Sequence, residues 1–194
     1  MYLKACETCG YQMEMVAQTD VTPLIHHIVD AGTLKLGVVP PGFTTNDQLM
    51  ILVTVPLNAT ITEVEIGGLS NMIVEAHVPI LRNSGQGFLR LQKGAFSSNQ
   101  ERLQLYVEDS GPVVVCAPDD VPWDVHRLEL HLLGSANMHV HNVPADELKV
   151  VLGGDMGLGL GNVYVTGHPS KHATVDLRGR GRVVVPASSA DVTL

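Results

Sequence analysis

The feature that most constrains the fold is one short pattern that occurs four times between Leu103 and Val185. Each copy holds alternating apolar residues, a turn-forming stretch, and a second alternating pair that begins ten residues after the first member. The first halves are Leu103-Leu105-Val107, Leu128-Leu130-Leu132, Leu148-Val150-Leu152 and Ala173-Val175-Leu177. The second halves are Val113-Val115, Met138-Val140, Leu158-Leu160 and Val183-Val185. The copies start 25, 20 and 25 residues apart.

This spacing predicts a stack of β-strands. Alternation with period two places the apolar side chains on one face of a strand. A repeat of 20–25 residues is too short to bury that face alone, so successive copies must stack on one another. We therefore predict an all-β fold, a β-solenoid or β-helix-like stack with two or three short strands per coil. Parallel neighbours would be about 4.8 Å apart.

Two pairs of residues indicate a register for this stack. Superposing the second and third copies places Asn142-Val143 on Asn162-Val163, and stacked asparagines suit solenoid corners because their amides can bond along the stack. The same superposition places Glu129 over Lys149 on the outward face, an opposite-charge pair that indicates register more than stability.

A family resemblance rests on the third and fourth copies. The third reads Leu148-Lys-Val-Val-Leu-Gly-Gly-Asp-Met-Gly-Leu-Gly-Leu-Gly-Asn-Val163, and the fourth contains Val175-Asp-Leu-Arg-Gly-Arg-Gly-Arg-Val-Val-Val185. Both resemble the head GIN domain, also named after auto-transporter adhesins, and so do Leu128–Val140 and, more weakly, Thr62–Val74. The resemblance implies a solenoid-like all-β fold with no established chemistry. Members of this family usually carry an export signal, and this sequence departs from them there.

Composition favours one domain with narrow coils. Hydrophobic residues make up 45% of the 194 residues but aromatic residues only 4%, so the core would consist of Val, Leu and Ile. The alternation begins at Thr33. We therefore predict an N-terminal capping segment over residues 1–32 and a single all-β repeat domain over residues 33–194.

Charge and cysteine content limit the partners and the compartment. The net charge of −8 argues against nucleic acid and against an anionic membrane surface, because both attract excess Lys and Arg. Three cysteines give no disulfide framework and favour a reducing compartment. No apolar stretch predicts a signal peptide or membrane insertion. With Met1 as the natural start, we expect an intracellular protein, in the cytoplasm rather than an organelle.

Paired histidines raise the possibility of a metal site. His139 and His141 flank the inward Val140, so both imidazoles face outwards. The alignment places Cys116 beside His141 in the previous copy and Gly159 and Gly161 in the same columns of the next copy. Two His and one Cys with open space beside them could bind zinc or iron. The simpler interpretation is a solvated strand with no cofactor.

The same histidines resemble part of another family. The spacing of Gly134, His139, His141, Asp146 and Gly153 is similar to the first cupin motif, although one residue is missing before the first histidine. That resemblance implies a jelly roll whose metal is held by two histidines and an acid. Its ligands would be His139, His141, Asp146 or Glu147, and a later histidine, either His168 or His172. The regular repeat counts against this alternative.

Two further features could bind a partner. Arg178, Arg180 and Arg182 form the only local basic cluster, and Trp123 lies in an inserted stretch, where solenoids often carry their binding surface. Cys6-x-x-Cys9 is half of a zinc knuckle, and the simpler interpretation is two free thiols.

The sequence favours a non-enzymatic interaction or scaffold module in a larger assembly. Its partner would be a protein, or a second copy that binds through the solenoid ends, because alternation continues to the last residues. The alternative is a cupin-like metal-dependent enzyme or sensor.

Overall fold

The structure is a computed structural model, and it describes residues 1–17, 19–31, 33–38, 49–92, 100–116, 125–154, 159–167 and 169–194. Within these ranges the fold is all-β, as predicted, with no α-helix and one short 3-10 helix at Thr22–Leu24. The first nine strands are β1 Tyr2–Cys6, β2 Gln12–Val16, β3 Ile25–Asp30, β4 Thr33–Val38, β5 Met50–Pro56, β6 Glu63–Ile66, β7 Met72–Glu75, β8 Ile80–Asn83 and β9 Leu89–Leu91. The other nine are β10 Gln100–Val107, β11 Val113–Cys116, β12 Val125–Leu132, β13 Asn137–His141, β14 Ala145–Leu152, β15 Asn162–Thr166, β16 His172–Leu177, β17 Arg182–Val184 and β18 Ala190–Thr193. Among the described residues, no helix is long and apolar enough to cross a membrane.

From β6 onwards the chain passes back and forth between two sheets. The even-numbered strands form a seven-stranded sheet in the order β18-β16-β14-β12-β10-β8-β6. The odd-numbered strands belong to a nine-stranded sheet in the order β17-β15-β13-β11-β9-β7-β1-β5-β2. Each of these later strands pairs in parallel with the strand two elements away, so each turn of the chain adds one strand to both sheets. A jelly roll requires antiparallel neighbours, and this part of the fold does not have them.

The predicted columns of the first halves are confirmed. Leu103 pairs with Leu128, Leu128 with Leu148, and Leu148 with Ala173. These side chains point between the sheets and are buried. The core is therefore a set of apolar rows that run along the stack, as the alternation required.

The predicted second half of the third copy is wrong. Val163 and Val165, not Leu158 and Leu160, pair with Met138 and Val140. Leu158 lies outside the described residues, and Leu160 is 58% exposed. Gly161, just before the strand, passes close to the preceding coil: a Cβ on Gly161 would overlap the carbonyl oxygen of Ala136. Glycine permits this approach, so the strand begins only after it.

The same five-residue shift corrects the predicted asparagine pair. Asn162 pairs with Asn137 rather than with Asn142. The Nδ2 of Asn162 donates a hydrogen bond to the Oδ1 of Asn137 at 2.8 Å. Asn142 lies in a turn with a positive φ of 57°, a conformation that asparagine tolerates better than most residues. Asparagines therefore do bond along the stack, but at the start of the strands.

One end of the stack, here called the closed end, consists of β1, β5 and β2. β1 pairs in parallel with β7 and β5, and β2 adds to β5 antiparallel. These three strands extend the nine-stranded sheet beyond β6, the last strand of the other sheet. Leu3 and Val55 join the hydrophobic core there.

The predicted division at residue 32 stays a prediction, but two observations bear on it. Tyr2–Cys6 lies within the nine-stranded sheet instead of beside it. In addition, β3 and β4, on either side of residue 32, pair as an antiparallel hairpin. The first residues thus share the hydrogen bonds of the repeat.

The opposite end of the stack, here called the open end, consists of β17 and β18. Each has one neighbouring strand among the described residues, β15 and β16 respectively. All four residues of β18 are exposed, and Val192 is 58% exposed. Apolar side chains that the alternation directs towards the core therefore face solvent here.

Candidate functional site

The predicted histidine pair lies on the outer face of the nine-stranded sheet. His139 and His141 are exposed, while Met138 and Val140 between the sheets are buried. The His139 ring stacks on Tyr164 with centroids 5.0 Å apart. This arrangement is an aromatic pair between neighbouring strands, typical of the outer face of a sheet.

The residues around His141 differ in part from the prediction. Cys116 is its register partner on β11, as the alignment predicted. On the other side the partner is Thr166, not Gly161, and the His141 Nδ1 lies 2.9 Å from the Thr166 Oγ1. The predicted open space beside the histidines is therefore occupied by Tyr164 and Thr166. Among the described residues, no group of three or more His, Cys, Asp or Glu could hold a metal ion. A zinc or iron site stays a prediction.

The ligands implied by the cupin resemblance are divided between the two sheets. Asp146 and Glu147 lie on β14 and His172 on β16, in the sheet opposite the one that carries His139 and His141. His168 lies outside the described residues. Asp146 accepts hydrogen bonds from other residues: its Oδ1 is 2.6 Å from the Lys171 Nζ. The Lys171 hydrogen bond, with a smaller contribution from His126, lowers the pKa of Asp146. The structure does not bring this predicted set together.

The predicted partner-binding residues lie near the open end where they are described. Arg178 pairs with Asp176 at 2.8 Å. Arg180 lies in the turn before β17, and Arg182 is the first residue of β17; both are exposed. Trp123 lies outside the described residues. The arginines therefore place positive charge near β17, which has one neighbouring strand among the described residues.

Sequence reasoning missed a buried charged cluster on the outer face of the seven-stranded sheet. Glu129 does pair in register with Lys149, as predicted, but its side chain is only 3% exposed. Its carboxylate lies 2.8 Å from the Arg102 Nη2 and 2.6 Å from the Arg127 Nε. It also accepts a hydrogen bond from the Gln104 Nε2 at 3.0 Å. The predicted register is therefore confirmed, and on this outer face Glu129 is buried.

The surroundings of Glu129 hold it in its charged form. Burial alone would raise its pKa, but the hydrogen bond and charge of Arg102, with help from Gln104 and Arg127, lower the pKa to about 2. Burial lowers the pKa of the neighbouring His131, whose ring stacks on Tyr106 at 4.6 Å. The only sequence signal was that Arg102 and Arg127 occupy equivalent positions of consecutive copies.

Comparison of the chain with models of known protein families and with curated proteins found no match. The resemblances to head GIN domains and to cupins therefore stay predictions.

Proposed function

We propose that this protein is a non-enzymatic interaction or scaffold module whose docking surface is the open end. The observation that carries the proposal is the continuation of the core columns into exposed positions. Ala190 and Val192 pair in register with Ala173 and Val175, which are buried. The two β18 residues belong to the same columns but have no strand beyond them among the described residues.

An edge of this kind favours association. An edge strand presents unpaired N–H and C=O groups to any strand that approaches it. Proteins often protect such edges with Lys or Pro, and β18 contains neither. Val192 and Leu194 are exposed and apolar, so a strand that covered them would remove apolar area from water as well as form hydrogen bonds.

The occupant that fits this edge is a second copy, with the two β18 strands antiparallel. Pairing centred on Val192 places the two Val192 side chains opposite each other. Ala190 then lies opposite Leu194 of the second copy, and Asp191 lies opposite Thr193. Opposite residues share one face of a sheet, so the apolar residues would form one more core row while the two carboxylates stay apart.

The other end of the stack makes a poorer partner for this edge. A copy stacked head to tail would have to place β18 against β6, the free edge of the seven-stranded sheet. β1, β5 and β2 extend beyond β6 in the facing sheet, and they would occupy the space that β17 needs. A closed dimer with two-fold symmetry avoids this clash. Arg180 and Arg182 are then available at its rim for an acidic protein.

Size-exclusion chromatography with light scattering over a range of concentrations tests this proposal. We expect the 194-residue chain to have the mass of a dimer at high concentration. Val192→Lys should shift it to a monomer, because a charge would be buried in the new core row. The matched control is Val29→Lys on β3, where the valine is 70% exposed, and it should leave the dimer intact.

Three results would overturn the proposal. These are a wild-type monomer at the highest concentration, a dimer that survives Val192→Lys, or open-ended polymers. Circular dichroism of both lysine variants would establish that each has kept its β structure.

A further inference from the structure

Two cysteines at the closed end lie three residues apart on one turn. Cys6 is the last residue of β1, and Cys9 follows in the connection to β2. Leu3 and Ala5 pack on the core, so alternation places Cys6 on the outer face of the sheet. Cys6 pairs in register with Pro56, and its carbonyl accepts a hydrogen bond from the Leu57 N–H at 2.9 Å. The backbone of Cys6 is therefore fixed by the sheet.

The turn brings the second thiol back to the first. The Cys9 Sγ lies 3.9 Å from the carbonyl oxygen of Val55 on the neighbouring β5. Val55 precedes Pro56, the register partner of Cys6, so both cysteines lie against the same two residues of β5. Both are half-buried free thiols. The third cysteine, Cys116, is exposed on β11, so it can be replaced by serine without altering the pair.

The two thiols are not equivalent. A hydrogen bond from the Cys9 thiol, followed by one from the Thr8 backbone, lowers the pKa of Cys6. The hydrogen bond with Cys6 and partial burial raise the pKa of Cys9. Cys6 is therefore the better-populated thiolate, and thiolates are the nucleophiles of sulfur chemistry. Cys9, whose pKa is raised, is the second thiol to react.

We propose that Cys6 and Cys9 form a thiol–disulfide exchange site whose substrate is a low-molecular-weight disulfide such as glutathione disulfide. Both cysteines are half-buried, and both lie beside Val55 and Pro56 of β5. Only Glu7 and Thr8, both exposed, separate them in the chain, so an internal disulfide would close within one turn.

The reaction has two exchange steps. The Cys6 thiolate attacks one sulfur of glutathione disulfide; the disulfide bond breaks, and one glutathione leaves as a thiolate and takes up a proton from water. Cys9 then loses its proton to water and attacks the Cys6 sulfur, which releases the second glutathione. The protein loses two electrons and two protons as its disulfide forms, and glutathione disulfide gains them as two glutathione molecules.

Mass spectrometry of the full chain in a Cys116→Ser background tests the site. With glutathione disulfide we expect the chain to lose two hydrogens and retain no glutathione. Adding Cys9→Ser should trap one glutathione on Cys6, because the resolving thiol is gone. Adding Cys6→Ser instead should give glutathionylation of Cys9 that is several-fold slower.

A second readout is independent of disulfide formation. Brief alkylation of the reduced chain with iodoacetamide, followed by peptide mapping, should label Cys6 several-fold faster than Cys9 near neutral pH. The proposal fails if the two label equally, if the Cys116→Ser chain accumulates a stable mixed disulfide, or if it forms only intermolecular disulfides. Stoichiometric zinc that is lost with Cys6→Ser would also overturn it and identify a metal site. None of these results depends on dimerisation through β18.

Discussion

The two ends of the stack differ in how they cover the apolar face of the terminal coil. A repeated coil buries its apolar face only against the next coil, so the first and last coils need another solution. At the closed end, three non-repetitive strands from the beginning of the chain continue the nine-stranded sheet and bury Leu3 and Val55. At the open end the core rows run into the exposed β18. Equal alternation along the sequence thus gives unequal burial.

The largest expected effect on stability comes from shortening one apolar residue at each end of the stack and comparing the two losses. Leu3→Ala removes a buried side chain and should lower the free energy of unfolding by about 3 kcal/mol. Val192→Ala should change it by less than about 0.5 kcal/mol in dilute solution, because that valine is already exposed. Urea unfolding of both variants measures the difference. If β18 docks on a second copy, the loss of stability caused by Val192→Ala should grow with protein concentration. A loss that is the same at every concentration would show that the open end is not docked.

Acid should weaken the middle of the stack through Glu129. Its pKa falls from 4.5 to about 2 in the folded protein. Between these two pH values the unfolded chain therefore binds a proton more readily than the folded protein. The stability that Glu129 contributes is fully present above about pH 4.5 and is lost as the pH falls towards 2. The full loss, reached below pH 2, should amount to about 3 kcal/mol, of which about 2 kcal/mol is lost at pH 3.

Urea unfolding at neutral pH and near pH 3 tests this prediction. Glu129→Gln should be less stable at neutral pH and should lose much of the acid sensitivity. The matched control is Glu147→Gln, because the Glu147 carboxylate is nearby but 53% exposed. This variant should have the same stability and acid sensitivity as the wild type. Equal acid sensitivity of Glu129→Gln and the wild type would contradict the assignment.

The smallest expected difference in stability is between variants of two asparagines whose side chains bond from one coil to the next. Asn83, near the closed end, is fully buried, and its Nδ2 donates to the carbonyl oxygens of Gly87 and Gly111 at 2.8 and 3.1 Å. Asn83→Ala should cost about 2 kcal/mol, because buried carbonyl groups lose their donors. The side-chain bonds of Asn162, beside the open end, are exposed, and Asn162→Ala should cost about 1 kcal/mol or less. Thermal unfolding of the two variants would contradict this order if Asn162→Ala were the more damaging.

The local sequence pattern was enough to predict much of the structure of the repeat. Period two identified the inward residues, and superposing the copies, which start at Leu103, Leu128 and Leu148, predicted which residues pair. It failed in the third copy because Leu158 and Leu160 alternate as well as Val163 and Val165 do. The choice between them depends on how closely the Gly161 backbone approaches Ala136, and a one-dimensional pattern does not contain that distance.

The candidate sites were harder to predict for the same reason. The alignment correctly placed Cys116 beside His141, because both belong to regular strands. It placed glycines on the other side, where the structure has Tyr164 and Thr166. The burial of Glu129 depends on side chains from neighbouring strands that contact it, and the sequence alone predicted only that Glu129 faces outwards.

The sequence by itself determined the class of fold and the direction of most core side chains, because backbone alternation and side-chain polarity are local properties. Only the tertiary structure decided that Tyr2–Cys6 inserts between β7 and β5, that Glu129 is buried, and that the two ends differ. These outcomes depend on contacts between residues far apart in the chain. The free energy of such contacts is set by which surfaces meet, and that becomes known only when the coils are stacked.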